Sequence, residues 1–162
     1  MSFLNVFRYK VAFFKTTLDS ASSGAAQPIC QGAFSEISGL EASMDAHKIP
    51  EGGRNWGEIQ RVGKTSFSTL VLKRGMTENR DLWTWFHGVT TGAYGYRLNA
   101  QLAMFDSHGD MDKTAPLLTW EFANCLPVKL KAADLSAKSP EIGIEELHLA
   151  HEGMSLKPEG GA

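Results

Sequence analysis

The stretch TSFSTLVLKRGMTENRDLWTWFHGV, residues 65–89, decides how this chain is read. Its first nine residues, 65–73, are rich in β-formers, with Phe67, Thr69 and Val71 on one parity and Leu70 and Leu72 on the other. Apolar groups of both parities predict a central strand covered on both sides, ended by Gly75. Thr77 then serves as an N-cap, and Glu78 sits in the first turn, where a carboxylate favours the helix dipole. Leu82, Trp85, Phe86 and Val89 recur at helical spacing and predict a helix over 82–89. Its aromatic residues, Trp83, Trp85 and Phe86, read as core packing rather than a ligand cage.

Outward from this stretch the pattern is that of strands. Phe7, Tyr9, Val11 and Phe13 alternate with Arg8, Lys10 and Ala12, as in a half-buried strand. A second short strand is expected over 29–37, after a small, polar surface loop at 15–28. Tyr94, Tyr96, Leu98, Leu102 and Met104 alternate with Arg97, Asn99 and Gln101. After a turn at 107–110, Leu118, Trp120 and Phe122 alternate with Thr119 and Glu121, which predicts an antiparallel hairpin. Ile142 and Ile144 share one parity and Leu147 and Leu149 the other, so a β-bulge is expected at Glu145-Glu146. The fold class is therefore mainly β: an antiparallel sandwich or barrel of about seven strands with one flanking α-helix. One domain over 1–153, followed by a flexible tail over 154–162, accounts for the chain.

Residues 46–64 fit neither period. They hold Pro50, Gly52, Gly53, Gly57 and Gly63, and a connection this long inside a compact domain is usually functional. Trp56 has little reason to sit in a solvated loop unless something covers it. The segment is expected to reach neighbouring subunits, with Glu51, Gly52, Gly53, Arg54, Asn55 and Trp56 as contact candidates. The alternative is a loop folded back on its own sheet with Trp56 in the local core.

Composition and spacing exclude several functions. Sixteen Lys and Arg against eighteen Asp and Glu give a formal charge of −2, so no basic excess argues for nucleic-acid binding. Cys30 and Cys125 are far apart and form no CxxC pair. They bridge only if the fold brings them together and otherwise are inert buried thiols. Arg8, Lys10 and Lys15 interrupt the apolar N-terminus, unlike a secretory signal, and no stretch approaches a membrane span. His148 and His151, three apart on a strand, point to opposite faces. Asp106, Asp110 and Asp112 miss the calcium-loop spacing, since Gly109 falls at position 4 and Leu117 at position 12. No nucleophile elbow, phosphate loop or dinucleotide fingerprint occurs, so no catalytic, cofactor or metal residue is assigned.

Five blocks, in order, resemble the tail tube proteins of contractile phages and of the extracellular contractile injection systems derived from them. They are Phe34-Ser35-Glu36-Ile37-Ser38-Gly39-Leu40, Glu51-Gly52-Gly53-Arg54-Asn55, the 70–77 run with its Trp-containing helix, the 120–129 run from Trp120 to Lys129, and the 144–153 run that closes on Leu149-Ala150-His151-Glu152-Gly153. Cys125, Ile49-Pro50 and the long loop before Ile29 depart from that pattern.

The resemblance implies a structural subunit, not an enzyme, that stacks as hexameric rings into a hollow tube for DNA or an effector. The implied partners are copies of itself, a sheath protein, a baseplate hub, a tail terminator and a tape measure, with no cofactor. The implied place is the bacterial cytoplasm during assembly, then a phage tail or an extracellular particle. A carrier resembling the haemolysin-coregulated protein of type VI secretion is the alternative. Arg97, Asn99 and Gln101, opposite the core parity, are candidates for the lumen, although an outer wall would be polar too.

Overall fold

The computed structural model describes residues 8–15, 30–32 (backbone only), 34–50, 52–53, 57–92, 97–106, 115–136, 138 and 141–157. In chain order the elements are β1 (Tyr9–Lys15), β2 (Cys30–Gly32), β3 (Glu36–Ser38), β4 (Ala42–Ile49), β5 (Ile59–Phe67), β6 (Leu70–Gly75), α1 (Asp81–Thr90), β7 (Leu98–Met104), β8 (Leu118–Lys131), β9 (Ile144–Ala150) and β10 (Gly153–Leu156). Every strand pair is antiparallel.

Strand β8 belongs to two sheets. Its first part, 118–125, pairs with β7 on one side and, over 120–123, with β10 on the other. Its second part, 126–131, pairs with β9. The first sheet is thus β2-β1-β7-β8-β10 and the second β8-β9-β6-β3. The turn from one to the other falls at Asn124, whose φ of 51° lies in the left-handed region that Asn tolerates better than most residues. The register then shifts between Pro127 and Lys129. Pro127 has no N–H to give to a ladder, which suits an irregular position.

Inward side chains from both sheets form one core. Val11 and Phe13 of β1, Leu98, Ala100 and Leu102 of β7, and Phe122 and Cys125 of β8 meet Leu70 and Leu72 of β6 and Leu147 and Leu149 of β9. Helix α1 adds Leu82 and Trp85, the latter with its ring 5.3 Å from that of Phe13. Among the described residues the strand path does not close on itself, and the core lies between the two sheets.

Several sequence expectations are corrected. The run 65–73 is not one strand: β5 ends at Phe67 and β6 starts at Leu70, in different sheets. The helix starts at Asp81, and Thr77 is not its cap. Thr77 Oγ1 accepts from the Asn79 N–H, Asn79 Oδ1 from the Asp81 N–H, and Asp81 Oδ1 from the Leu82 N–H, a relay of short polar groups ahead of the first turn. Trp83 is exposed while Trp85 is buried, because only Trp85 faces the sheet.

There is no bulge at Glu145-Glu146, because β6 and β9 pair without a break and Glu145 is an inward residue. The irregularity lies on the partner strand β8. Met154, expected in a tail, is paired in β10 opposite Phe122. The region 29–37 holds two strands, β2 and β3, rather than one. Phe7, Tyr94, Tyr96, most of the 15–28 loop and the 107–110 turn lie outside the described residues.

Candidate functional site: an assembly surface

Within 46–64 the structure has a β-hairpin where the sequence suggested a connection without regular structure. Strands β4 and β5 pair with each other over Ala42–Phe67 and Ile49–Ile59 and with no other described strand. Nine residues of β5 at about 3.3 Å each give an arm roughly 30 Å long. Most of its residues are exposed and none is buried. An isolated two-stranded hairpin is marginally stable in water, so this arm needs support from outside its own pairing.

The arm has two unlike faces. Ala42–Phe67, Met44–Thr65 and Ala46–Val62 share one face, where Met44 is 55% and Val62 79% exposed. Ser43–Ser66 and His47–Arg61 share the other, and the two serine hydroxyls lie 2.9 Å apart. One residue, Asp45, stands opposite two, Gly63 and Lys64, between the Met44 and Ala46 pairings. Gly63 is required there, since a Cβ would lie 2.4 Å from the Asp45 carbonyl oxygen. Beyond this bulge Ala46–Val62 stays on the face of Met44, Lys48–Gln60 follows it there, and Ile49–Ile59 lies on the face of His47–Arg61.

The root of the arm is fixed to the sandwich. Gly39 has φ +90°, and a Cβ on it would lie 2.1 Å from the Thr69 carbonyl oxygen. The Ser68 N–H donates to the Glu41 carbonyl, and the Ser68 hydroxyl to the Glu41 carboxylate. Phe67 packs on the His151 ring at 5.3 Å, and His151 packs on Phe122 at 5.1 Å. Phe67 also borders a groove of about 670 Å³ on the outer face of the first sheet, with Phe14, Asn99, Gln101, Glu121 and Met154.

Of the contact candidates, Gly52 and Gly53 are exposed at the tip, Gly53 with φ +90°. Glu51, Arg54, Asn55 and Trp56 lie outside the described residues. Arg97, Asn99 and Gln101 are on the outer face of the first sheet as the parity predicts, because Leu98, Ala100 and Leu102 between them are buried. Arg97 and Asn99 belong to one polar network, joined through Glu152 and Asn124, and Gln101 to another with Glu121 and Lys157. Arg97 pairs with Glu152, the Asn124 N–H donates to Asn99 Oδ1, and Gln101 donates to Glu121.

Sequence reasoning missed a buried ionic cluster. Arg74 follows Leu70 and Leu72 on the inward parity of β6, directly opposite Glu145 of β9, and the two are 4% and 5% exposed. The guanidinium donates to the Glu145 carboxylate and to Asp81 Oδ1 at 3.2 Å, at the start of α1. Burial works against the Arg74 charge, but hydrogen bonds and charge from Glu145 and Asp81 outweigh it and leave the pKa raised. The signal was the parity itself: continued by one more step from Leu149 and Leu147, it reaches Glu145. The cluster ties the start of the helix to the second sheet. Among the described residues no group of three His, Cys, Asp or Glu is placed to hold a metal. Cys125 is a free thiol whose pKa burial pushes up to about 12.

The described residues thus present one packed two-sheet core and a long, largely exposed arm. The profile of the T4-like virus tail tube protein gp19 family matches residues 5–155, and the chain belongs to that family. Its members are structural tube proteins, not enzymes. Among solved structures, the chain is similar to one in the six-fold-symmetrised baseplate of the anti-feeding prophage, at 25% identity, 97% coverage of both chains and a TM-score of 0.73. It shares its fold with a chain of the sheath–tube complex of PVC, an extracellular contractile injection system, at 19% identity, 95% and 90% coverage and a TM-score of 0.73. The likeness to a crystal structure of Hcp protein is weaker, with a TM-score of 0.52 and 10% identity over 92% and 98% of the two chains. No curated protein sequence matches the chain.

Proposed function

We propose that this chain assembles as hexameric rings that stack into the inner tube of a contractile phage tail or injection particle. The β4–β5 arm is the element that reaches from one copy to the next. The observation that carries this reading is an arm that pairs with no other described strand and leaves Met44 and Val62 in solvent, on a chain matched to a tube family over residues 5–155. Covering that apolar face against a neighbour supplies the support a lone hairpin lacks. Arg97, Asn99 and Gln101 are the candidates for the wall of the bore. The bore is a conduit for DNA or an effector, within a sheath and between a baseplate hub and a terminator.

Negative-stain electron microscopy of the purified protein tests the reading. Rings or tubes are expected without added cofactor. A strictly monomeric species by light scattering, across concentration and salt, overturns it.

A further inference from the structure

His151 stands where the arm meets the sandwich. It follows β9 and precedes β10, so strands on both sides fix its backbone. Its ring lies between Phe67, the last residue of the arm, at 5.3 Å with the planes tilted by 43°, and Phe122 of the core, at 5.1 Å with the planes at 73°. The hydrogen bonds of Ser68 with Glu41 and the close approach of Gly39 to Thr69 hold the two legs of the arm to each other. The Phe67–His151 contact instead leans the arm on the sandwich.

The two ring nitrogens are not equivalent. Nδ1 lies 3.1 Å from the Gly153 carbonyl oxygen. A carbonyl only accepts, so the proton sits on Nδ1 and the lone pair on Nε2. Nε2 is buried and meets no hydrogen-bonding group among the described residues. The neutral ring fits this site. A second proton would put an N–H bond and a positive charge on Nε2, where no acceptor stands and burial keeps water away. The charged groups around it are engaged elsewhere. Glu152 binds Arg97 and the Asn124 side chain, Glu121 of β8 binds Gln101 and Lys157, and Glu41 binds Ser68. His148 lies 3.5 Å from Glu146. Lys64 of β5 and Cys125 of β8 are the other titratable groups close in sequence to Phe67 and Phe122.

We propose that His151 is a proton-sensitive latch, which sets the arm against the sandwich when neutral and releases it when protonated. To hydrate a second N–H, the ring must leave its place between the two phenyl groups, and the arm then loses its lateral brace. The sign follows from proton linkage. The released state binds the extra proton, so the set arm is favoured at neutral and alkaline pH and lost as pH falls. The latch belongs to the folded chain in any oligomeric state. Only its consequence for assembly rests on the ring reading above.

Two spin labels read the arm directly, at Gln60→Cys on β5 and Lys129→Cys on β8, in a Cys30→Ser background with labelled chains diluted in unlabelled ones. With His151 in place, the distance distribution should be narrow at about pH 8 and several times broader at about pH 5, across the interval in which histidine charges. Circular dichroism checks that the sandwich stays folded at both. His151→Phe keeps a ring between Phe67 and Phe122 but takes no proton, so its distribution should stay narrow throughout. Equal distributions at the two pH values with His151 present overturn the proposal, as does an equal broadening in His151→Phe. Should that variant fail to fold, solid-state nitrogen spectra of the histidine side chains decide. The His151 proton is expected on Nδ1 at the higher pH, and a proton on Nε2 there overturns the proposal. In the electron microscope, tubes should vanish at the lower pH for the natural chain and persist for His151→Phe. If the distances behave as stated but no rings form at either pH, the ring reading fails and the latch stands.

Discussion

Arg74 is the side chain whose loss would leave most behind, because its guanidinium is the cation that both Glu145 and Asp81 face. Breaking a buried ion pair by removing one partner typically costs about 3–5 kcal/mol, so Arg74→Met should lower the urea midpoint strongly. Replacing Arg74 and Glu145 together by apolar residues should recover much of that loss, as a double-mutant cycle would read. Trp85 and Trp83 offer a matched comparison two residues apart. Trp85→Ala should cost roughly 3–5 kcal/mol, because the buried ring packs on Phe13, while Trp83→Ala at an exposed site should stay within about 0.5 kcal/mol.

Cys125 adds a pH effect with a definite sign. The thiol holds its proton to about pH 12 when folded and to about 9 when unfolded, so the folded state binds more protons in between. Stability from this group is therefore complete below about pH 9 and falls as pH rises, by up to about 1.4 kcal/mol per unit. In a Cys30→Ser background, thiol reagents at pH 8 should label Cys125 only after denaturant is added.

At the scale of elements, the arm and the helix show what a sequence can and cannot say. The helix was legible because Leu82, Trp85 and Val89 repeat at its period, and because a hydrophobic stripe has one interpretation on a domain surface. Its start was not, because the Thr77, Asn79 and Asp81 side chains all bind nearby backbone N–H groups and any of them suits a helix entrance. The arm was legible only as a long, unusual segment. Its two strands mix polar and apolar pairs on both faces, with Lys48–Gln60 beside Ala46–Val62 on one and Ile49–Ile59 beside His47–Arg61 on the other. The bulge at Gly63 then shifts the phase within β5, so the period of two fails when read straight through. Arg74 and Glu145 were hidden for another reason: charged residues are read as outward unless the partner strand is known, and pairing between strands 71 residues apart is not local information.

The arm also yields a sharp prediction. Val62→Lys should leave the thermal midpoint of the isolated subunit nearly unchanged, since the side chain is 79% exposed there, yet abolish rings and tubes in the electron microscope. Tubes formed normally by that variant would mean that the apolar face of the arm does not contact a neighbour.

For the whole molecule, association and folding are linked through mass action. If rings form, the thermal midpoint should rise with protein concentration, and disruption of the arm should make it independent of concentration. Differential scanning fluorimetry over a hundredfold dilution reads this directly. Strand β8 gives the assembled object a further property. Because one continuous backbone runs through both layers of the sandwich, the layers cannot slide past each other without tearing hydrogen bonds from β7, β9 and β10 together. Shear between the layers is thus opposed by backbone hydrogen bonds on three strands at once, and a wall built of such subunits would resist buckling under an endwise load.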